Sequence, residues 1–207
     1  MLDMQITLLR HGKPAFELKG KVRARELGSI ARSYDLSGIS DSPLDEKVLA
    51  VQGSQFVVCS HLPRSIESAK VLGFSDIHLQ DALFGETAIP HFSRGSFSLP
   101  IGVWVVLLRV LWLFGFSKNG ESFTQAKNRA RLAADKLIEL AQTHHDVLLV
   151  GHGFINHLIA KELKKRGWQV SLSSVTVIGN MVFLHTDWRG YVGFSGRSKW
   201  CDGTVVG

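Results

Sequence analysis

Arginine and histidine recur in this chain where apolar runs stop. Arg10 and His11 close the run QITLLRH, Arg64 lies four residues beyond the end of QFVVCS, and His152 comes directly after DVLLVG. Arginine keeps its charge and presents a planar fork that matches phosphate oxygens. A neutral imidazole adds what arginine lacks, a competent nucleophile near pH 7. Two of each in one place would make an anion pocket with its own nucleophile. Gly12, directly after His11, lets the backbone turn close beside it.

Such a pocket needs elements that carry distant residues to a common edge. Short apolar runs alternate here with amphipathic stretches, the pattern of parallel strands covered by helices, so the chain is read as α/β. Strands are expected at QITLLR (5–10), QFVVCS (55–60), 76–79 and DVLLVGHG, with one or two closing strands within 174–186. Helices are expected at 24–34, at PRSIESAKVLG with Pro63 in its first turn, from Glu121 through a long amphipathic stretch, and at 154–166. In open α/β sheets ligands bind beyond the carboxyl ends of the strands. A parallel sheet would therefore gather Arg10, His11, Ser60, Arg64 and His152 at one edge.

One stretch departs from the alternation. LPIGVWVVLLRVLWLFGF, Leu99 to Phe116, is apolar throughout except for Arg109. Its length raises a membrane contact, yet a central arginine costs about 2.5 to 3.5 kcal/mol on insertion scales, and Pro100 with Gly102 shortens the usable helix. It is read first as a buried or lid helix, then as a dimer or partner surface, then as a membrane contact.

Composition narrows the classes. The chain has 207 residues, 45% of them hydrophobic, enough for a sizeable core in one domain. Its net charge of +6 suits a phosphate-bearing partner, but the excess is scattered through segments such as KGKVRARE and KELKKRG. No basic stripe is interleaved with stacking aromatics, so no nucleic-acid partner is expected. Cys59 and Cys201 are too few for a disulfide framework, and no leader pattern opens the chain, so a cytoplasmic, reducing setting is expected. The histidines lack ligand spacing with cysteine or carboxylate partners, and neither a metal nor a cofactor is expected.

Taken jointly, the motifs resemble the histidine phosphatase superfamily, the phosphoglycerate mutase-like group, in its branch with a small central domain. LLRHG resembles the signature strand and turn, SHLPRSIESA the second segment, and VLLVGHG the late histidine motif. FGETAIP places Glu86 where the family carries its acid, and GESFTQAKNRA is similar to the opening of the family's long helix. The resemblance runs from Gln5 to about Gly167. It implies a three-layer α/β/α sandwich with a mostly parallel central sheet and a helical cap insertion at about 87–120, within a single domain, 1–207.

The resemblance also implies a chemistry. His11 would attack phosphorus to form a phosphohistidine, with Arg10, Arg64 and His152 holding the equatorial oxygens. Glu86 would protonate the leaving oxygen and later take a proton from water, with Phe84, Ile89 and Phe92 expected to give it an apolar setting. His61 and His91 are candidate substrate contacts. Departures from the pattern are informative. Pro14 and Glu17 stand where many members carry a hydroxyl residue and an asparagine, so the first loop should add little to phosphate binding. Glu86 is followed by TAIPHF, without the arginine-histidine-tyrosine run of the glycolytic mutases. A phosphomonoesterase acting on a small phosphoester or a phosphoprotein is therefore the leading expectation. Mutase-type transfer, a phosphohistidine protein phosphatase and a non-catalytic phospho-ligand module are the alternatives, and a homodimer is one use of the apolar insertion.

Overall fold

A computed structural model describes residues 4–40, 56–171, 177–178 and 181–188. Four strands lie side by side in it: β1 (Met4–Arg10), β3 (Phe56–Ser60), β4 (Leu79–Asp81) and β6 (Asp146–Gly151). They are parallel, in the order β4-β3-β6-β1, with Leu8 opposite Leu149 and Val58 opposite Leu149 on the other side. The sheet continues through β9 (Met181–Trp188), antiparallel to β1, and ends at β7 (Gln169–Ser171); the short β8 (Val177–Ile178) also pairs with β9. Part of the expected closing segment, 174–186, falls outside the described residues. The expected third strand forms two to three residues later than its apolar content suggests, at 79–81, where it pairs with the end of β3.

Side-chain alternation along the strands creates the layers. Ile6, Leu8, Val58, Val147 and Leu149 face one side and meet α4 (Phe123–His144) and α5 (Gly153–Lys165). Leu9, Val57, Cys59, Leu148 and Val150 face the other and meet Ala69 and Leu72 of α2 (Pro63–Val71) and the residue after it. This period of two, with both faces covered, is why β6 reads as a continuous apolar run. The result is a three-layer α/β/α arrangement around a mostly parallel sheet. Helix α4 comes close to the sheet because its inner face is mostly alanine: Ala126, Ala130, Ala133, Ala134 and Ala141 are fully buried. Ser122 and Gln125 cap its start reciprocally. Cys59 is a buried β3 residue whose thiol burial pushes up to about 11, so it packs as an inert hydrophobe.

A smaller apolar cluster lies apart from these two. Helix α3 (Ile101–Leu113) buries Ile101, Trp104 and Leu108 against Val22, Ala24 and Leu27. Those residues come from β2 (Lys21–Arg23), the turn after it and α1 (Leu27–Leu36). Trp104 packs at a tilt against Phe92 and Phe97, and its indole N–H donates to the Val22 carbonyl at 2.9 Å. The apolar insertion thus forms a helix buried on one face, shorter than the run suggests. Ser98–Pro100 peels off as strand β5 and pairs antiparallel with β2, because Pro100 cannot continue a helix backward. At 13 residues α3 extends about 20 Å by helical rise, against a hydrocarbon core of about 30 Å. No helix among the described residues is long and apolar enough to cross a membrane. Its outer face, including Val103, Val106, Val110 and Leu113, is exposed.

Candidate functional site

The carboxyl ends of β1, β3 and β6 lie at one edge of the sheet, since the three strands are parallel neighbours. Beyond them stand, in turn, His11, the turn into α2, and His152 at the start of α5. The His11 and His152 rings meet edge-on with centroids 4.9 Å apart. Both are almost wholly buried, as is Arg64 in the first turn of α2. Arg10 is half-buried, and its guanidinium lies against Gly153, where a Cβ would come within 3.4 Å of its Nε. Helix α5 therefore starts beside an arginine and two histidines, with the positive end of its dipole at that edge.

The turn after β1 is held from α2. The backbone N–H of Gly12 donates to Ser68 Oγ at 2.9 Å, and that hydroxyl donates to the Arg64 carbonyl at 2.6 Å. Ser65 makes a second tie: its hydroxyl donates to the Val150 carbonyl and accepts the Ser60 N–H. Both serines of the SIES stretch are fully buried. Their role is to lock α2 to β1, β3 and β6 through groups that would otherwise be orphaned.

His11 is set up by its own backbone. Nδ1 lies 2.7 Å from the Gly12 carbonyl, which can only accept, so Nδ1 carries the hydrogen and Nε2 keeps a lone pair. Burial lowers its pKa from 6.5 to about 4, and the charges of Arg64 and Arg10 push the same way, against the Gly12 hydrogen bond. His152 is lowered well below 6.5, first by burial and then by the charges of His11, Arg64, His61 and Arg10. At neutral pH both imidazoles are uncharged.

The lowered values make stability depend on pH. Unfolded, His11 takes up a proton near 6.5; folded, it resists until about 4. Between those values the unfolded chain binds more protons, so stability falls as pH drops through that window and levels off below it. Burial of His152 acts in the same direction. Calorimetric melting of wild type and His11→Gln from pH 8 to pH 4 checks this: their difference in melting temperature is expected to shift in favour of the variant as pH falls through about 6.5 to about 4.

Arg64 is more committed than a free phosphate clamp. Its Nη1 donates to the Tyr34 carbonyl at 3.0 Å, its Nη2 pairs with Asp35 at 3.2 Å, and its guanidinium lies 4.7 Å from the Tyr34 ring centre. Nε is buried without a partner among the described residues. His152 shows the same division. Its Nε2 shares a 2.6 Å hydrogen bond with Ser60 Oγ, while its Nδ1 is buried and unpartnered among the described residues. A buried polar atom left unpaired costs about 1 to 3 kcal/mol. Here one such atom occurs on each of two side chains that share the strand-end edge.

Glu86 follows the 3-10 turn Ala82–Phe84 and reaches the start of α5. Its Oε1 accepts from the Thr87 N–H at 2.8 Å, the Ile155 N–H at 3.2 Å and the Thr87 hydroxyl at 3.3 Å. Oε2 accepts from the Phe154 N–H at 3.3 Å. The apolar setting expected from Phe84, Ile89 and Phe92 is corrected: Phe84 is in the main core, Ile89 and Phe92 pack with the α3 cluster, and the carboxylate is bracketed by N–H and O–H donors.

The remaining sequence candidates separate. His61 is exposed beside Gly85, where a Cβ would come within 3.0 Å of its ring, and its charge acts on His152. It borders the same edge. His91 lies against Gly28 of α1, and Lys118 and Asn119 hydrogen-bond its backbone. Glu17 pairs with Lys19 on the surface.

Two arginines whose part here sequence reasoning missed support the Glu86 turn. Arg129 of α4 donates to the carbonyls of Leu83 and Gly85 at 2.9 and 2.7 Å while pairing with both carboxylate oxygens of Glu121. Arg109 of α3 donates to the Thr87 hydroxyl at 2.9 Å. An arginine inside an otherwise apolar helix was the available signal. It reads on its face as an obstacle to membrane insertion.

No family model and no curated protein matches this chain. Solved structures do. An open reading frame product of Mycobacterium tuberculosis aligns with a TM-score of 0.51 at 20% identity, over 75% of this chain and 77% of that one. Mycobacterial glucosyl-3-phosphoglycerate phosphatase in complex with VO3 gives 0.54 at 19% identity over 78% and 82%, and α-ribazole phosphatase from Shigella flexneri 0.50 at 19% over 77% and 79%. With those solved structures, two of them named phosphatases, this chain shares its phosphoglycerate mutase-like fold.

Proposed function

We propose that this protein is a phosphomonoesterase working through a phosphohistidine on His11. In the first step the Nε2 lone pair forms an N–P bond, the bond from phosphorus to the ester oxygen breaks, and Glu86 gives that oxygen its proton. In the second, water attacks phosphorus and loses a proton to Glu86, and the N–P electron pair returns to Nε2. Arg10, Arg64 and His152 offset the charge on the transferring group.

The observation that carries this reading is the pair of buried, unpartnered atoms, Arg64 Nε and His152 Nδ1, beside a histidine whose Nε2 is kept as a free lone pair. Leaving such atoms unpaired makes sense where an oxyanion supplies the acceptors. Solved structures of this fold that are named phosphatases support the same reading. Thr87 and Ala88 stand directly after Glu86 in place of the mutase run, which favours transfer to water over return to a bound acid. The substrate is a small phosphoester or a phosphoprotein, and a cytoplasmic setting belongs to the reading through the cysteine usage.

Hydrolysis of p-nitrophenyl phosphate by purified protein, with excess chelator and with orthovanadate as inhibitor, tests it. Turnover that survives chelation, vanadate inhibition, and an acid-labile, base-stable phosphoenzyme after quenching are expected. Phosphate binding without release of nitrophenol would instead establish a non-catalytic phospho-ligand module.

A further inference from the structure

Arg109 is the only charged residue of α3, and its surroundings make it costly to keep there. It is half-buried, it forms no ion pair among the described residues, and burial lowers its pKa, against the pull of the Glu86 charge. Its guanidinium lies 4.8 Å from the Trp112 ring centre and 4.7 Å from that of Phe154. These faces offset part of the desolvation. They also fix the plane in which its N–H groups point.

The directions of the hydrogen bonds are determined by chemistry. Arginine has donors only, so the Thr87 hydroxyl must accept from Arg109 Nη1 at 2.9 Å. With a lone pair so occupied, the hydroxyl hydrogen is free to turn to Glu86 Oε1 at 3.3 Å. Thr87 is 1% exposed, so water offers it no alternative partner. Oε1 thereby receives three donors, from the Thr87 hydroxyl and the N–H groups of Thr87 and Ile155. Oε2 receives a single 3.3 Å bond from Phe154 N–H. A proton on Oε1 would face donors on all sides, whereas Oε2 has room for one.

We propose that Arg109 is a positioning residue for Glu86: acting through the Thr87 hydroxyl, it saturates Oε1 and leaves Oε2 as the oxygen that carries and delivers the proton. The inference rests on Glu86 being the acid of the proposed reaction. It gives α3 a part in the chemistry, through the hydrogen bond from Arg109 to Thr87.

Leaving-group dependence separates positioning from mere support of the fold. kcat/KM reports the steps up to departure of the leaving group. An ester with a good leaving group, p-nitrophenyl phosphate, needs little help from an acid; phenyl phosphate needs much more. Arg109→Met is expected to lower kcat/KM for phenyl phosphate roughly 10- to 100-fold more than for p-nitrophenyl phosphate, the range of a partly lost general acid. Thr87→Val should reproduce that selectivity, Thr87→Ser should restore near wild-type values, and the double variant Arg109→Met/Thr87→Val should be no worse than either single one, because all three cut the same chain of contacts. Should Arg109→Met fail to fold, Arg109→Lys, which keeps a donor and a charge, together with the two Thr87 variants carries the comparison. Equal losses on both esters, or penalties that simply multiply in the double variant, would overturn the inference. Glu86→Gln provides the reference: if it shows leaving-group selectivity and the Arg109 variants do not, the inference alone fails. If wild type hydrolyses neither ester, or Glu86→Gln is unselective, the assignment of Glu86 fails and takes the inference with it.

Discussion

His11→Ala is expected to reduce p-nitrophenyl phosphate hydrolysis by roughly 10⁴- to 10⁶-fold, to a level set by residual binding and charge stabilisation. The size of the loss comes from geometry. Nδ1 is held by the Gly12 carbonyl at 2.7 Å, so a single nitrogen, Nε2, is available for attack, and the neighbouring His152 ring has its own Nε2 bonded to Ser60. If His152 Nδ1 carries the hydrogen that holds the oxyanion, it has no lone pair with which to stand in as the nucleophile. The phosphoenzyme should vanish together with turnover. Quenched reactions run with radiolabelled phosphoester check both at once, and partial recovery of His11→Gly by added imidazole would show that the missing group is the nucleophile and not a structural prop. A variant that retains more than a few per cent of wild-type turnover would place the covalent step elsewhere.

Glu86→Gln is expected to cost about 10²- to 10⁴-fold, the usual contribution of a positioned acid or base. The substitution preserves shape and removes one acceptor. At the Oε1 position the amide oxygen can keep the bonds from Thr87 and Ile155; the amide nitrogen must then face the Phe154 N–H, donor against donor. That conflict is worth about 1 kcal/mol, so the melting temperature should fall by only a few degrees. Activity and stability would then part company. Rapid-quench experiments should find the phosphoenzyme accumulating with p-nitrophenyl phosphate, since a good leaving group departs unaided while water still lacks its base. A variant that loses stability and activity in proportion would point to a capping role at the start of α5 and nothing more.

The α5 start also explains how a loop carboxylate is kept in place. Its Oε1 and Oε2 take the N–H groups of Ile155 and Phe154, while Arg129 holds the carbonyls of Leu83 and Gly85 just before it. Arg129 is itself aligned by a two-pronged pair with Glu121. The Glu86 carboxylate is thus anchored from α4, α5 and α3. That arrangement differs from the strand-end residues, which are carried on the sheet itself.

The strand-end residues were legible because a parallel sheet leaves a local mark. β1, β3 and β6 are continuous apolar runs, covered on both faces, and each stops at a polar residue. Run length and a change of polarity therefore suffice to put Arg10, His11, Ser60, Arg64 and His152 at one edge. Helices α2, α4 and α5 were legible by the same logic, from Pro63 and from the apolar period of α4. The β2–β5 pair was not. Three residues to a strand are too few for alternation to register, and the pairing links positions about 77 residues apart, as in Val22 with Leu99.

What the amino-acid sequence determined by itself was the architecture and the identity of the strand-end residues, because periodicity and polarity are properties of neighbours along the chain. Only the tertiary structure decided how those residues are employed. It engaged two nitrogens of Arg64 with α1, left its Nε and His152 Nδ1 unpartnered among the described residues, and turned Arg109 from the odd charge of an apolar segment into the partner of Thr87 beside Glu86. The physical reason is that a hydrogen bond depends on distance and direction between groups far apart in sequence, and no pattern along the chain records either.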